Sequence, residues 1–283
     1  MSPLVRGELK GGLLFMNTDE KFTTLKNRLK QMDRVIIAFS GGVDSTFLVK
    51  TASISGLSKV MAVTGVSASL SREEGSVAKK LAETIDVEYR TIKTEELGNT
   101  DYTENSPDRC YHCKKDLFVR LKAIAAKENF PFVLDGTNAD DASDWRPGSR
   151  ASREEGVESP LLDIGFTKQE IRDVSKSLGL PTWNKPATPC LSSRFPYGHK
   201  ITVEALGRVE KAEAFIRKYG VKELRVRNHS EVARIEVLPE DIPKIMDGPV
   251  RDEINNFLKS IGFKYVTIDL QGFRSGSANE HLG

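Results

Sequence analysis

Ser40-Gly-Gly-Val-Asp-Ser45 restricts the fold more than any other stretch of the chain. It lies between an apolar, β-branched run, Val35-Ile-Ile-Ala-Phe39, and a helical pattern from Thr46 to Ile54 that turns Phe47, Leu48 and Ala52 inward. A buried strand that ends in a double glycine and re-enters as a helix can bend tightly, and it then aims backbone amides and a helix N-terminus at one point. The hydroxyls of Ser40 and Ser45 add donors, so the sequence predicts a phosphate cradle whose candidate contacts are Ser40, Gly41, Gly42, Asp44 and Ser45. The plainer alternative is a glycine turn that only joins strand to helix. No Gly-x4-Gly-Lys-Ser/Thr string is present, which points away from the γ-phosphate chemistry of that loop.

The same alternation continues on both sides. Asn17 and Glu20 fit a capping box for a helix with Phe22, Leu25, Leu29 and Met32 at 3–4 spacing. Val60 to Val66 reads as a second buried strand, and Ser71 with Glu74 as the cap of a helix facing inward through Val77, Leu81 and Ile85. Val87 to Ile92 reads as a third strand. Leu117, Leu121 and Ile124 mark a helix leading into a fourth, Phe132 to Asp135. Strands alternating with helices predict an α/β fold with an open parallel sheet, which binds ligands at the carboxyl edge of its strands. Residues 94–110 and 140–160 read as polar loops, and Thr167 with Glu170 caps a helix through Ile171, Val174 and Leu178. Pro181, Pro186 and Pro189 predict a stiff, extended segment up to Cys190.

Beyond Tyr197-Gly198 the pattern changes. A helix from about Val203 to Tyr219, an antiparallel pair at Leu224–His229 and Val232–Leu238, a helix near 249–261 and a strand at Tyr265–Leu270 predict a smaller α+β domain. The expected division is residues 1–197 and 198–283.

Composition excludes several classes. Lys plus Arg is 42 against 40 Asp plus Glu, a formal net charge of +2, so nothing in the total favours a polyanion as the main partner. No run of about 18 apolar residues is present, and the first sixteen residues carry charges inside their apolar stretch with no cleavage site, so a cytoplasmic enzyme is expected rather than a membrane or secreted protein. The three cysteines, Cys110, Cys113 and Cys190, are too few and too odd in number for a disulfide framework. Cys110-Tyr-His-Cys113 at a helix start puts two thiols in one turn, suited to metal binding, to a redox dithiol, or to no more than burial.

The phosphate loop resembles that of the PP-loop ATP pyrophosphatases. Further strings are similar to the LarE family in order and spacing: Asp135-Gly-Thr-Asn-Ala-Asp-Asp141, Trp145-Arg-Pro-Gly148, Asn184-Lys185, Ser192-Ser-Arg-Phe-Pro-Tyr-Gly198, Arg225-Val-Arg227 with His229, Ala233-Arg-Ile-Glu236 and Gly272-Phe-Arg-Ser-Gly276. The similarity runs from about residue 17 to residue 276 and covers nearly the whole chain. It implies a PP-loop, adenine nucleotide alpha hydrolase-like domain and an ATP-dependent sulfur transferase of nickel-pincer nucleotide cofactor biosynthesis. Two carboxylates of a pyridinium-3,5-biscarboxylic acid mononucleotide would be adenylated and converted to thiocarboxylates. The resemblance further implies ATP contacts at Thr137 and in the phosphate loop, Mg²⁺ on Asp44, and a hexamer.

Some LarE proteins give up the sulfur of a single cysteine and carry an aromatic residue about where Cys110 stands. This chain departs from that branch. The resemblance, taken with the cysteine spacing, implies a [4Fe–4S] cluster on Cys110, Cys113 and Cys190, one cysteine short of the usual four, whose open iron would present hydrosulfide to the activated acyl group. The sulfur would come from sulfide or a cysteine desulfurase. Zinc is the alternative metal, with His112 as an awkward fourth ligand, and Cys190 as a consumed donor is the alternative chemistry.

Arg225 and Arg227 alternate on a strand and so share a face, which His229 continues, a pattern suited to a phosphate or carboxylates or simply to a solvated sheet face. By resemblance Arg194 joins that substrate pocket. Glu213 and Arg274 are weaker candidates that would serve equally as surface ion pairs, and Asp135 and Asp141 are candidates for metal or ribose that also suit turns. His199 and His281 read as exposed. A tRNA thiolase of the three-cysteine PP-loop type is the nearest rival, disfavoured by the near-neutral charge and the lack of a Lys/Arg run. A nucleotide-binding regulator and an ammonia-dependent synthetase explain the cysteines less well.

Overall fold

A computed structural model of the protein describes residues 16–142, 147–221 and 223–274. They divide into two compact units. The first is drawn from residues up to Val66, Arg72–Thr94 and Cys110–Thr188, the second from Ser67–Ser71, Glu95–Arg109 and Pro189 onward. The second unit therefore takes in two short segments of the N-terminal half as well as the C-terminal stretch.

In the first unit, strand β1 (Arg34–Ala38) sits between β2 (Lys59–Val66) and β4 (Phe132–Leu134), with β3 (Glu88–Lys93) outside β2, and every pairing is parallel. The period-2 alternation of a strand assigns the side chains of β1 to two cores. Val35 and Ile37 pack into one with Leu25, Phe47, Leu81 and Ile171, and Ile36 into the other with Met61, Phe118, Leu121 and Val133. A sheet buried on both faces needs helices on both, and these are α1 (Thr18–Met32), α2 (Val43–Ser53), α3 (Arg72–Ile85), α4 (Arg109–Lys127), α5 (Pro147–Glu154), α6 (Pro160–Ile164) and α7 (Lys168–Ser177). This is the open parallel-sheet α/β fold expected.

Two of the three expected capping boxes form. Asn17 and Glu20 close α1, and Thr167 and Glu170 close α7. Two readings are corrected. Helix α2 begins at Val43, not Thr46, so Asp44 and Ser45 lie in its first turn. Residues 140–160 are not one loop, because Pro147 opens α5 and Pro160 opens α6, each using the fixed φ of proline at a helix start. Trp145 lies outside the described residues.

In the second unit, α8 (Val203–Arg217) packs on a three-stranded sheet ordered β5 (Leu224–His229), β6 (Val232–Val237), β7 (Tyr265–Ile268). The β5–β6 pair is antiparallel as expected, and β7 joins β6 parallel. Helices α9 (Ile242–Met246) and α10 (Gly248–Ser260) complete the layer. Ala212, Ile216, Val226, Ile235, Leu258 and Phe263 form its core, and Phe215 stacks on Phe257 at 4.0 Å between ring centroids.

Candidate functional site

The loop of residues 40–45 in the first unit, the expected phosphate cradle, is built by close backbone approach. Gly41 has φ +68, and a Cβ there would meet Ala78 of α3 at 3.0 Å. Gly136, just after β4, passes so near the start of α2 that a Cβ would lie 3.0 Å from the Ser45 nitrogen. Gly41 favours glycine by its φ and Gly136 by the closeness of the α2 backbone, and together they bring the carboxyl ends of β1 and β4 against one helix N-terminus. Gly42 is the N-cap of α2 and, lacking a side chain, supplies no cap, so the positive end of the helix dipole faces the loop. Ser40 Oγ accepts from the Gly42 amide at 3.3 Å and lies 3.1 Å from Ser45 Oγ, which fixes both hydroxyls beside those amides.

The acid of this loop is held from two sides. Asp44 accepts from Asn138 Nδ2 at 3.2 Å and from the Lys168 ammonium at 2.5 Å. Lys168 is the first residue of α7, and its own amide is tied to Asp140 at 2.8 Å. A second cation, Lys185, bonds Glu74 of α3 at 2.7 Å and the Gly41 carbonyl at 3.3 Å. Asp135 is buried and accepts from the Thr137 amide, the Thr137 hydroxyl and Ser159 Oγ, so it shapes the loop that presents Thr137 and Asn138. Asp141 does the same through the Asn138 amide.

Sequence reasoning gave no role to Lys168, Lys185 or Asn138. The signal for Lys168 was available: a lysine opening a helix opposes the macrodipole, an arrangement that calls for a nearby anion.

The thiols fall in both units. Cys110 and Cys113 stand in the first turn of α4, as expected; Cys110 is exposed and Cys113 half-buried. Between them Tyr111 donates to Glu154 at 2.5 Å and lies under the Arg150 guanidinium at 3.9 Å, which fastens the turn to α5. Cys190 belongs to the second unit and is also exposed. It caps the short 3₁₀ turn Leu191–Arg194. None of the three is in a disulfide, and thiols are soft donors suited to iron or zinc. Among the described residues no three His, Cys, Asp or Glu side chains are gathered as a metal site.

Arg194, Glu213, Arg225 and Arg227 come together in the second unit, and all four are buried. Arg194 meets Glu213 in a two-pronged pair, Nε to Oε1 at 2.9 Å and Nη2 to Oε2 at 3.1 Å. Glu213 also accepts from the Val226 amide at 3.1 Å, so it is an interior ion pair and not a surface one. Arg227 bonds Glu236 at 2.8 Å, and Arg234 bonds the other oxygen of Glu236 at 2.9 Å. Arg225 lies 5.0 Å from the Phe273 ring. This sheet face is therefore packed rather than solvated.

Its charge is unbalanced. Among the described residues five guanidiniums, those of Arg194, Arg217, Arg225, Arg227 and Arg234, lie around the carboxylates of Glu213, Glu236 and, 3.7 Å from Arg234, Asp269. Burial first, and then the charge of Arg194, lower the Arg225 pKa to about 10 despite the opposing pull of Glu213. A group held charged against such crowding favours an anion nearby. Arg274 bonds the Gly272 carbonyl and lies 3.8 Å from Asp269. His199 is exposed as expected, and His281 lies outside the described residues.

No family model matches the chain. It is 42% identical over 264 residues to an uncharacterized protein of Synechocystis sp., covering 93% of this chain and 98% of that one. It is 41% identical over 264 residues to the pyridinium-3,5-bisthiocarboxylic acid mononucleotide synthase of Lactiplantibacillus plantarum, covering 93% of this chain and 95% of that enzyme. An uncharacterized protein of Methanocaldococcus jannaschii is 33% identical over 259 residues, covering 90% and 98%. At that identity and coverage the chain belongs to the LarE family and is a sulfurtransferase.

Proposed function

We propose that the chain inserts sulfur, at the expense of ATP, into pyridinium-3,5-biscarboxylic acid mononucleotide and yields the bisthiocarboxylic acid for which its Lactiplantibacillus relative is named. The observation that carries this reading is the near full-length likeness to that synthase, in a chain whose phosphate loop is intact. The start of α2, with Ser40, Gly41, Gly42 and Ser45, would hold the phosphates of ATP, helped by Thr137. Asp44, an oxygen ligand of the right kind for Mg²⁺, would take the metal that accompanies them. A substrate carboxylate oxygen attacks the α-phosphorus, the bond to the bridging oxygen breaks, and pyrophosphate leaves. The acyl-adenylate then exchanges AMP for sulfur. Arg225 and Arg227, in a face with excess positive charge, would bind the anionic substrate, with Arg194 and Glu213 keeping that face in order.

For the sulfur, Cys110, Cys113 and Cys190 would hold a [4Fe–4S] cluster, with sulfide or a cysteine desulfurase as source. Such a cluster, when bound by three cysteines, supplies an open iron coordination site for sulfur. The test is anaerobic purification of the wild type and of Cys110→Ala, with iron and sulfide content, pyrophosphate release and repeated turnover with sulfide as readouts. About four irons per chain in the wild type and loss of both iron and turnover in the variant support the reading. An iron-free protein that loses one sulfur from Cys190 per turnover instead makes Cys190 the donor. Assembly as a hexamer, also part of this proposal, is read from light scattering, and salt-sensitive binding of tRNA in a filter assay would turn the reading toward a tRNA thiolase.

A further inference from the structure

The turn that carries Cys190 is short, and a 3₁₀ turn leaves carbonyls that its own backbone does not fully use. In this turn they are taken by arginines. Arg194 Nη1 donates to the Pro189 carbonyl at 2.6 Å and to the Cys190 carbonyl at 3.0 Å. Arg227 Nη1 donates to the Ser193 carbonyl at 2.8 Å. The Ser192 carbonyl accepts from Nη1 of Arg109 at 3.0 Å. Arg194 and Arg227 are accounted for by the arginine-rich face. Arg109 is not: it lies in the Glu95–Arg109 segment, is buried, and reaches the turn from a different stretch of chain.

Arg109 is itself aimed. Its guanidinium also donates to Asn105 Oδ1 and lies 5.4 Å from the Tyr197 ring. Asn105 in turn donates to the Phe195 and Pro196 carbonyls at 3.3 and 2.7 Å, and Tyr102 Oη lies 2.5 Å from Ser192 Oγ. The result is a turn in which Leu191, Ser192, Arg194 and Phe195 are buried while the thiol of Cys190 stands exposed.

A buried guanidinium is costly to desolvate, and a methionine would fill the same volume without that cost. What the arginine adds is direction: a planar group gripped by an amide oxygen, an aromatic face and a carbonyl can sit in one place only. We propose that Arg109 is a positioning residue for Cys190, one that fixes the backbone of the sulfur-handling turn and so the point at which the thiol is presented. The inference rests on the reading that Cys190 handles sulfur, whether as cluster ligand or as donor. Arg109 is also the residue directly before Cys110 in the chain.

The experiment compares Arg109→Met and Arg109→Lys with the wild type, full chain, under anaerobic conditions. Hydrogen exchange is read in the peptide spanning 189–197, and the electron paramagnetic resonance spectrum of the reduced protein is read after reconstitution with iron and sulfide. Arg109→Met is expected to speed exchange at the Leu191 and Ser193 amides about ten-fold while leaving β1 and α2 unchanged. It is also expected to shift the resonance spectrum at unchanged iron content. Arg109→Lys, which keeps one charged donor, restores part of both. Wild-type exchange and a wild-type spectrum in Arg109→Met would overturn the proposal. If that variant does not fold, Asn105→Ser and Tyr197→Leu release the guanidinium without removing it; faster 189–197 exchange in both then supports the proposal, and wild-type exchange in both overturns it. If the wild type takes up no iron, the cluster reading falls by itself, and the exchange rates with their rescue by lysine still decide the role of Arg109.

Discussion

The Lys168 ammonium lies 2.5 Å from a carboxylate oxygen of Asp44, so the acid proposed to take Mg²⁺ is paired with a lysine from the start of α7. Binding of Mg²⁺ and ATP would transfer that pairing: the metal takes the carboxylate and the ammonium becomes available to the phosphates. Asp44→Asn is expected to lower pyrophosphate release by at least about 100-fold. Lys168→Met is expected to lower it about 10- to 100-fold with little change in thermal midpoint, because both side chains are partly exposed and such a pair contributes little to stability. Lys168→Arg restores part of the rate. A Lys168→Met enzyme with the wild-type rate of pyrophosphate release would show that the lysine serves only to hold Asp44 in place.

Gly136→Ala tests the close approach at the same loop. The new methyl group would lie 3.0 Å from the Ser45 nitrogen and 3.2 Å from the Asp44 carbonyl carbon, both backbone atoms of the first turn of α2. The turn has to shift, at a cost of about 1–3 kcal/mol, and the KM for ATP is expected to rise with it. Gly207→Ala is the opposite case. It lies inside α8 with nothing within 4 Å of the added carbon, so it is expected to stabilise by about 0.5–1 kcal/mol. Chemical denaturation of the two variants, read side by side, checks both signs.

What the sequence showed and what it hid follow from the range of the interactions. The β1 run, the glycine turn and the capping boxes of α1 and α7 are written in neighbouring residues, and they appear where the periodicity places them. The start of α2 lies three residues ahead of its apolar pattern, and Gly42 offers no side-chain cap to mark it. Helix α5 was read as loop because its sequence is polar, although Pro147 at the first position was a legible start signal. The burial of Arg194, Glu213 and Arg227 could not be read at all: each depends on a partner 9 to 34 residues away, and a charged side chain gives no local sign that a partner exists. The capture of residues 95–109 by the C-terminal unit is of the same kind.

The Arg194–Glu213 pair is expected to behave as an interior pair. Glu213→Ala would leave the Arg194 guanidinium uncompensated and the Val226 amide without its acceptor, a loss of about 3–5 kcal/mol. Joining Arg194→Met to Glu213→Gln removes both charges while keeping a side-chain oxygen for the Val226 amide, and is expected to recover much of that loss. Urea unfolding of the single and double variants provides the measurement. Equal losses in both would mean that the charges do not compensate each other.

His229 should make the second unit sensitive to mild acid. Its Nε2 is buried without a hydrogen-bond partner, and its ring faces His199 at 6.5 Å between centroids. Burial first, then the charges of Arg234 and His199, lower its pKa from the usual 6.5, against the weaker opposing pull of Glu236. A depressed folded-state pKa means that the unfolded chain binds the proton more readily, so the stabilising contribution is present above pH 6.5 and is lost as pH falls through the folded value. The wild type is therefore expected to lose stability between pH 7.5 and pH 5 more steeply than His229→Gln, which has nothing to protonate there. Thermal midpoints measured at half-unit steps across that window decide the matter: parallel curves for the two proteins would mean that the ring accepts its proton in the folded state as easily as in the unfolded one.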